Sequence, residues 1–170
     1  MKELFTDTIP SPIGNITLIV DEGRLCALGF EGSEDRMMKS LERRYGVIEL
    51  KPIDDPCGFG TRIKGYLAGD LRALEAIPVS TGGTPFQQQV WNALREIPTG
   101  HTFTYSQLAA KIGRPSATRA VGMTNSLNPV AIVVPCHRVI GANASLTGYA
   151  GGLDRKHWLL QHEGALLKIA

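Results

Sequence analysis

Between Pro78 and Pro85 the chain passes through Ser80-Thr81-Gly82-Gly83, a polar tract bracketed by prolines that can continue neither a helix nor a strand. This break divides the 170 residues into two short halves, each of a size that folds around its own small core. We place a boundary there and predict two domains, 1–80 and 84–170. Hydrophobic residues make up 43% and charged residues 20% of the chain, a balance that supports folding and excludes a disordered or fibrous protein. The longest aliphatic run, Val130-Ala131-Ile132-Val133-Val134, is far short of the roughly 18 to 20 residues of a membrane span. From Met1-Lys2 the chain goes straight to Glu3, Asp7 and Pro10 without an apolar signal centre. The expectation is a cytoplasmic protein with no membrane partner.

The two halves differ in charge. Residues 1–83 hold 10 Lys/Arg against 13 Asp/Glu, net −3, and residues 84–170 hold 8 against 3, net +5, with all four histidines. A basic, acid-poor half suits a surface that meets phosphate, and equally a solvated face. Three cysteines, Cys26, Cys57 and Cys136, fit neither a disulfide framework nor a CxxC metal site.

In the first half, Thr17–Val20 and Leu25–Phe30 flank Asp21-Glu22-Gly23-Arg24, the pattern of a β-hairpin with glycine in its turn. Met37, Leu41 and Tyr45 follow Ser33 at helical spacing and end at Gly46. Phe59, Ile63 and Tyr66-Leu67 mark a second helix that stops at Gly69. Cys26 alternates into an apolar strand as a small core residue, and Cys57 is a loop thiol.

In the second half, Thr84-Pro85-Phe86-Gln87 is a capping box with proline at the first helical position, followed by Phe86, Val90, Ala93-Leu94 and Ile97 as the buried stripe. Thr104-Tyr105-Ser106-Gln107 repeats the box before Leu108 and Ile112, and Gly113 ends that helix. After Arg114-Pro115-Ser116, a third helix spans Ala117 to Asn125. Helix, glycine-containing turn and helix form a helix-turn-helix pattern. Arg119 is the only charge on the second of these helices, among Ala117, Ala120, Val121 and Gly122. Small residues of this kind suit close approach to a nucleic-acid backbone and tight helix packing alike.

Asn128-Pro129 turns the chain into an expected strand, Val130–Val134, which runs into Pro135-Cys136-His137-Arg138-Val139-Ile140. Thiol, imidazole and guanidinium together at the exit of a buried strand demand partners. A thiolate is the reactive form of cysteine, and basic neighbours promote it. Consecutive residues of a strand point to opposite sides, so His137 reaches Cys136 only through a bend or a water. Residue types alone leave a structural and a reactive cysteine equally open. Zinc is disfavoured, since no second ligand pair completes a tetrahedral site. Thr147-Gly148-Tyr149-Ala150-Gly151-Gly152 has no phosphate-loop spacing but can wrap a planar ligand. Glu163 ends the last helix, where a carboxylate opposes the dipole and calls for a cationic partner.

These segments together, with Arg119-Ala120-Val121-Gly122, His162-Glu163-Gly164 and, in the first half, Ser11-Pro12-Ile13-Gly14, closely resemble the methylated-DNA–protein-cysteine methyltransferases, the O6-alkylguanine-DNA alkyltransferases. The resemblance is strongest from Thr84 to Gly164. The form is similar to the bacterial constitutive enzyme rather than to the longer inducible protein with an added regulatory domain. It implies an α+β fold, with a small ribonuclease-H-like sheet-plus-helix domain and a mainly helical, winged-helix-like domain.

The resemblance further implies that Cys136 takes the alkyl group of O6-methylguanine in a single, irreversible displacement. His137 receives the thiol proton through a water and Glu163 orients His137. Asn128 holds the turn into the acceptor segment. Tyr105 helps expel the base and donates a hydrogen bond to it, and Tyr149, Ala150, Val139 and Arg138 surround it. Arg119 fills the gap left by the extruded nucleotide, while Ala117, Ala120, Gly122 and Thr104 meet DNA in the minor groove. No cofactor and no metal are expected, including the structural zinc some members bind in the amino-terminal domain, because no histidine precedes His101. Some members carry serine where Ala150 stands, so acceptance of O4-methylthymine is expected to widen. The partner is double-stranded DNA carrying O6-alkylguanine, bound by a monomer with room for cooperativity along DNA. Two other classes stay open: a DNA-binding regulator that senses oxidation or alkylation at Cys136, and a cysteine hydrolase using Cys136 and His137, which would need an oxyanion hole.

Overall fold

The computed structural model describes residues 1–142 and 146–165. The chain forms two compact units, Met1–Gly82 and Gly83–Ala170, and the division falls inside the Pro78–Pro85 tract.

The first unit is built on a four-stranded sheet. Strands β1 (Lys2–Ile9), β2 (Ile16–Asp21), β3 (Arg24–Phe30) and β4 (Ile48–Pro52) lie in the order β3-β2-β1-β4. The hairpin β2–β3 closes through Glu22 and Gly23, both at positive φ (48° and 78°), the backbone that a two-residue turn matched to strand twist requires. β1 pairs antiparallel with β2 and parallel with β4. The chain crosses between β3 and β4 through helix α1 (Glu34–Tyr45), whose Met37 and Leu41 pack with Leu4, Ile19, Cys26 and Ala27 of the sheet. Gly29 permits this approach, because a Cβ there would stand 2.5 Å from the sulfur of Met37. Helix α2 (Phe59–Leu67) buries Phe59, Ile63 and Tyr66. Cys26 is buried in this core, its thiol pushed up to about 11 chiefly by burial, and the exposed Cys57 sits in a left-handed turn.

The second unit is mainly helical: α3 (Pro85–Leu94), α4 (Tyr105–Lys111), α5 (Thr118–Ser126) and α6 (Leu153–His162), with a two-residue parallel pair, β5 (Phe103–Thr104) and β6 (Val139–Ile140). Both capping boxes are formed. Thr84 and Gln87 exchange bonds of 3.2 and 2.9 Å at the start of α3, and Thr104 and Gln107 exchange bonds of 3.1 and 2.8 Å at the start of α4. Gly113 turns the chain at φ 75° between the two helices of the helix-turn-helix. The core gathers Val90, Leu94, Ile97, Leu108, Val121 and Leu159, all essentially inaccessible. Trp91 ties α3 to α5 by donating its indole N–H to the Thr124 carbonyl at 3.0 Å.

One expectation is corrected here. Val130–Val134 is a buried turn and not a strand. Val134 N–H donates to Val130 O at 3.0 Å, and Ile132 adopts φ 69°. Burial on all sides explains the apolar run as well as a buried strand would, and periodicity cannot separate the two in five residues.

Candidate active site

The turn after α5 is held by one side chain. Asn128 accepts the N–H of Val130 at 3.0 Å and donates to the carbonyl of Val134 at 2.8 Å. The same Nδ2 donates to the sulfur of Cys136 at 3.1 Å. Asn125, in the last turn of α5, donates to the Cys136 carbonyl at 3.3 Å. Two asparagines therefore fix both the backbone and the thiol of Cys136, which is 6% exposed.

Cys136-His137-Arg138 forms a single 3₁₀ turn, with Arg138 N–H on Pro135 O at 3.0 Å. A turn removes the alternation of a strand, so consecutive side chains need not oppose one another. His137 is fully buried and its Nε2–H donates to Glu163 Oε2 at 2.8 Å. Its Nδ1 is buried and has no hydrogen-bond partner among the described residues.

Glu163 stands at the C-cap of α6 with its side chain inaccessible. Burial alone would raise its carboxyl. The attraction and hydrogen bond of His137 and those of Arg138 outweigh this and hold it well below the usual carboxylate range. Arg138, expected around the base, has its guanidinium engaged by three protein partners. Its Nε and Nη2 grip the two carboxylate oxygens of Glu163 at 2.8 and 3.0 Å, Nη1 donates to Ile97 O at 2.7 Å, and Nη2 also reaches Thr99 Oγ1 at 3.2 Å. A bidentate grip of this kind is the strong form of an ion pair, and it makes Arg138 the support of the carboxylate.

Tyr105 opens α4 with its hydroxyl 3.1 Å from Thr147 Oγ1. Gly122 faces this ring, since a Cβ there would lie 3.6 Å from Tyr105 Cδ1. Thr104 spends its hydroxyl on capping α4. Val139 is fully buried in β6, Tyr149 is half-buried, and Ala150, Arg119 and Ala120 are exposed, with Ala117 at the N-cap of α5.

Lys156 was invisible in the sequence. It is fully buried, and its ammonium donates to Val139 O at 2.7 Å and Thr147 O at 3.0 Å. It thereby ties the Tyr149 loop to the strand that leaves the acceptor turn. Burial pushes it down to about 8, against an opposing attraction to Cys136. A lysine on an amphipathic helix reads as solvated, so only the fold shows its position.

Among the described residues no group of three or more His, Cys, Asp or Glu side chains could hold a metal ion, and no helix is long and apolar enough to cross a membrane. The site thus offers a buried thiol held by an amide donor beside an imidazole–carboxylate pair, the constituents of nucleophilic group transfer.

Residues 4–81 match the family described as 6-O-methylguanine DNA methyltransferase, ribonuclease-like domain, and residues 85–165 its DNA binding domain. The methylated-DNA–protein-cysteine methyltransferase of Salmonella typhimurium is 48% identical over 170 residues, covering 98% of this chain and 99% of that protein. Its counterpart in Methanosarcina acetivorans is 45% identical over 155 residues, 91% and 95% of the two chains. Among solved structures, the O6-methylguanine methyltransferase of Mycobacterium tuberculosis superposes with a TM-score of 0.77 at 38% identity, over 98% of this chain and 94% of that one. A complex of the Mycobacterium tuberculosis protein with DNA gives 0.77 at 38% identity, over 96% and 93%.

Proposed function

The chain belongs to the 6-O-methylguanine DNA methyltransferase family, whose activity moves the alkyl group of a damaged base in DNA to a cysteine of the protein, and from that premise we propose that Cys136 is the acceptor. The observation that carries the assignment is the environment of its sulfur: buried, hydrogen-bonded by Asn128 at 3.1 Å, and followed in the same turn by His137 on Glu163. Cys26 is a core thiol and Cys57 an exposed one on the other unit, and neither has such partners.

In the displacement, Sγ attacks the alkyl carbon, the carbon–O6 bond breaks, and the electron pair leaves with the purine, which takes up a proton. His137 Nδ1 receives the thiol proton through a bridging water, while Glu163 holds the ring by Nε2. Asn128 supplies a fixed donor to the sulfur as its charge develops. Arg138 keeps Glu163 ionised and oriented. The product is a thioether with no leaving group, so one chain repairs one lesion.

The base reaches Cys136 only after extrusion from the duplex. Arg119, exposed on α5, fills the gap, and α5 enters the minor groove with Ala117, Ala120 and Gly122. Tyr105 donates to the extruded base and the Tyr149 loop closes over it. With alanine at position 150 the pocket accepts O4-methylthymine as well as O6-methylguanine. The protein acts as a monomer in the cytoplasm. The amide of Cys136 is already spent on Val134 O at 2.8 Å, which argues against an oxyanion hole at this residue and hence against the hydrolase reading.

Incubation with a duplex carrying methyl-labelled O6-methylguanine, followed by mass analysis of the protein, tests the assignment. One methyl per chain, on Cys136, is expected. Repeated turnover, or label on Cys26 or Cys57, overturns it.

A further inference from the structure

Helix α5 buries Val121, Thr124 and Asn125, and two large apolar side chains stand in solvent, Met123 on the helix at 68% and Leu127 at its C-cap at 55% exposure. Arg119, Met123 and Leu127 follow one another at intervals of four, so they form one strip along the outer face of the helix. A single exposed methionine needs no explanation. Two large apolar groups in line with the one charged side chain of the second helix of a helix-turn-helix do.

We propose that Met123 and Leu127 are DNA-contacting residues that continue the Arg119 face along the minor groove, packing on its apolar sugar edges. The inference rests on the reading that the Arg119 face meets DNA. The occupant follows from charge: α4 and α5 carry no acidic residue, Arg114 and Arg119 lie between and on them, and Lys111 at the end of α4 is already paired with Glu96 at 3.3 Å. This face is complementary to a polyanion. A second copy of the chain, meeting it about a two-fold axis, would bring two equally basic faces together. Apolar groups beside base steps are a recurrent device of minor-groove proteins, and their contribution differs in kind from phosphate contacts because it releases no counterions.

The experiment compares the full-length wild type, the double variant Met123→Ala/Leu127→Ala and Arg119→Ala. Each is measured for binding to undamaged duplex over a range of salt, for repair of an O6-methylguanine duplex, and for reaction with free O6-benzylguanine. Both altered positions of the double variant are exposed, so the fold is retained. Its expected behaviour is duplex affinity weaker by about ten-fold, of the order set by losing one well-buried apolar side chain. Its salt slope should match wild type, and its rate with the free base should be unchanged. Unaltered duplex affinity in the double variant, with Arg119→Ala still selectively slow on duplex, overturns the inference and leaves the reading in place. If Arg119→Ala is not selective either, the reading falls and the inference with it. A loss seen only where several copies crowd one duplex, with single-site affinity intact, assigns the strip to contact between copies and also overturns the inference.

Discussion

Arg138 grips both oxygens of Glu163, at 2.8 and 3.0 Å, while His137 shares one of them at 2.8 Å. The carboxylate is thus held by two side chains from a single 3₁₀ turn. Removing the guanidinium leaves a buried charge with one partner. Arg138→Met is expected to cost about 3–5 kcal/mol, the usual penalty for breaking a buried pair from one side, and to slow alkylation of free O6-benzylguanine as the carboxylate that anchors the His137 ring loses its own support. Denaturant melts and single-turnover rates check both. A stable variant with undiminished rate would show that Arg138 holds nothing the reaction uses.

The same pair sets an acid limit. Burial pushes the Glu163 carboxyl up, but His137 and Arg138 together hold it well below its ordinary 4.5. A depressed carboxyl contributes stability that is complete above its ordinary value and is lost as pH falls toward the folded one. The stability advantage of wild type over Glu163→Gln should therefore be constant above about pH 5.5 and shrink progressively below 4.5. Paired melts at pH 3 to 7 measure the gap, and a gap independent of pH would contradict it.

Lys156 shifts in the other direction along the pH axis. With its ammonium pushed down to about 8 from an ordinary 10.5, the folded protein sheds this proton before the unfolded chain does, so stability from this group rises with pH between those values. The melting difference between wild type and Lys156→Met should move in favour of wild type from about pH 8 to about 10.5. Cys26, pushed up to about 11, acts oppositely above its ordinary 9.0, equally in both proteins, and cancels in the difference. A flat difference would place Lys156 at its ordinary value.

Methylation of Cys136 is expected to destabilise the fold. The sulfur is buried and carries the Asn128 hydrogen bond, and an extra methyl in a packed site typically costs about 1–3 kcal/mol. Melts of unreacted and methylated protein at matched pH decide this. A methylated form that melts at or above the unreacted temperature would refute it.

Which features could be read from the chain follows from how local their causes are. The boxes Thr84/Gln87 and Thr104/Gln107 close within four residues, as does the Glu22-Gly23 turn, and each is written in adjacent letters. Strands β1 and β4 left no usable signal, because Lys2 finds Ile48 as its parallel neighbour only after a hairpin and a helix intervene, and β4 is an exposed edge of mixed polarity. Cys136, His137 and Glu163 stood out by residue type. The task of Arg138 did not, since its acceptors come from Ile97, Thr99 and Glu163 on separate segments. Nor did that of Asn125, whose amide lies on the buried side of a helix read for its outer face.

Ile132, β-branched and at φ 69°, occupies a conformation that such a residue resists by about 1–3 kcal/mol, in the very turn that Asn128 staples. A protein consumed by its own reaction winds it once, while it folds, and never again.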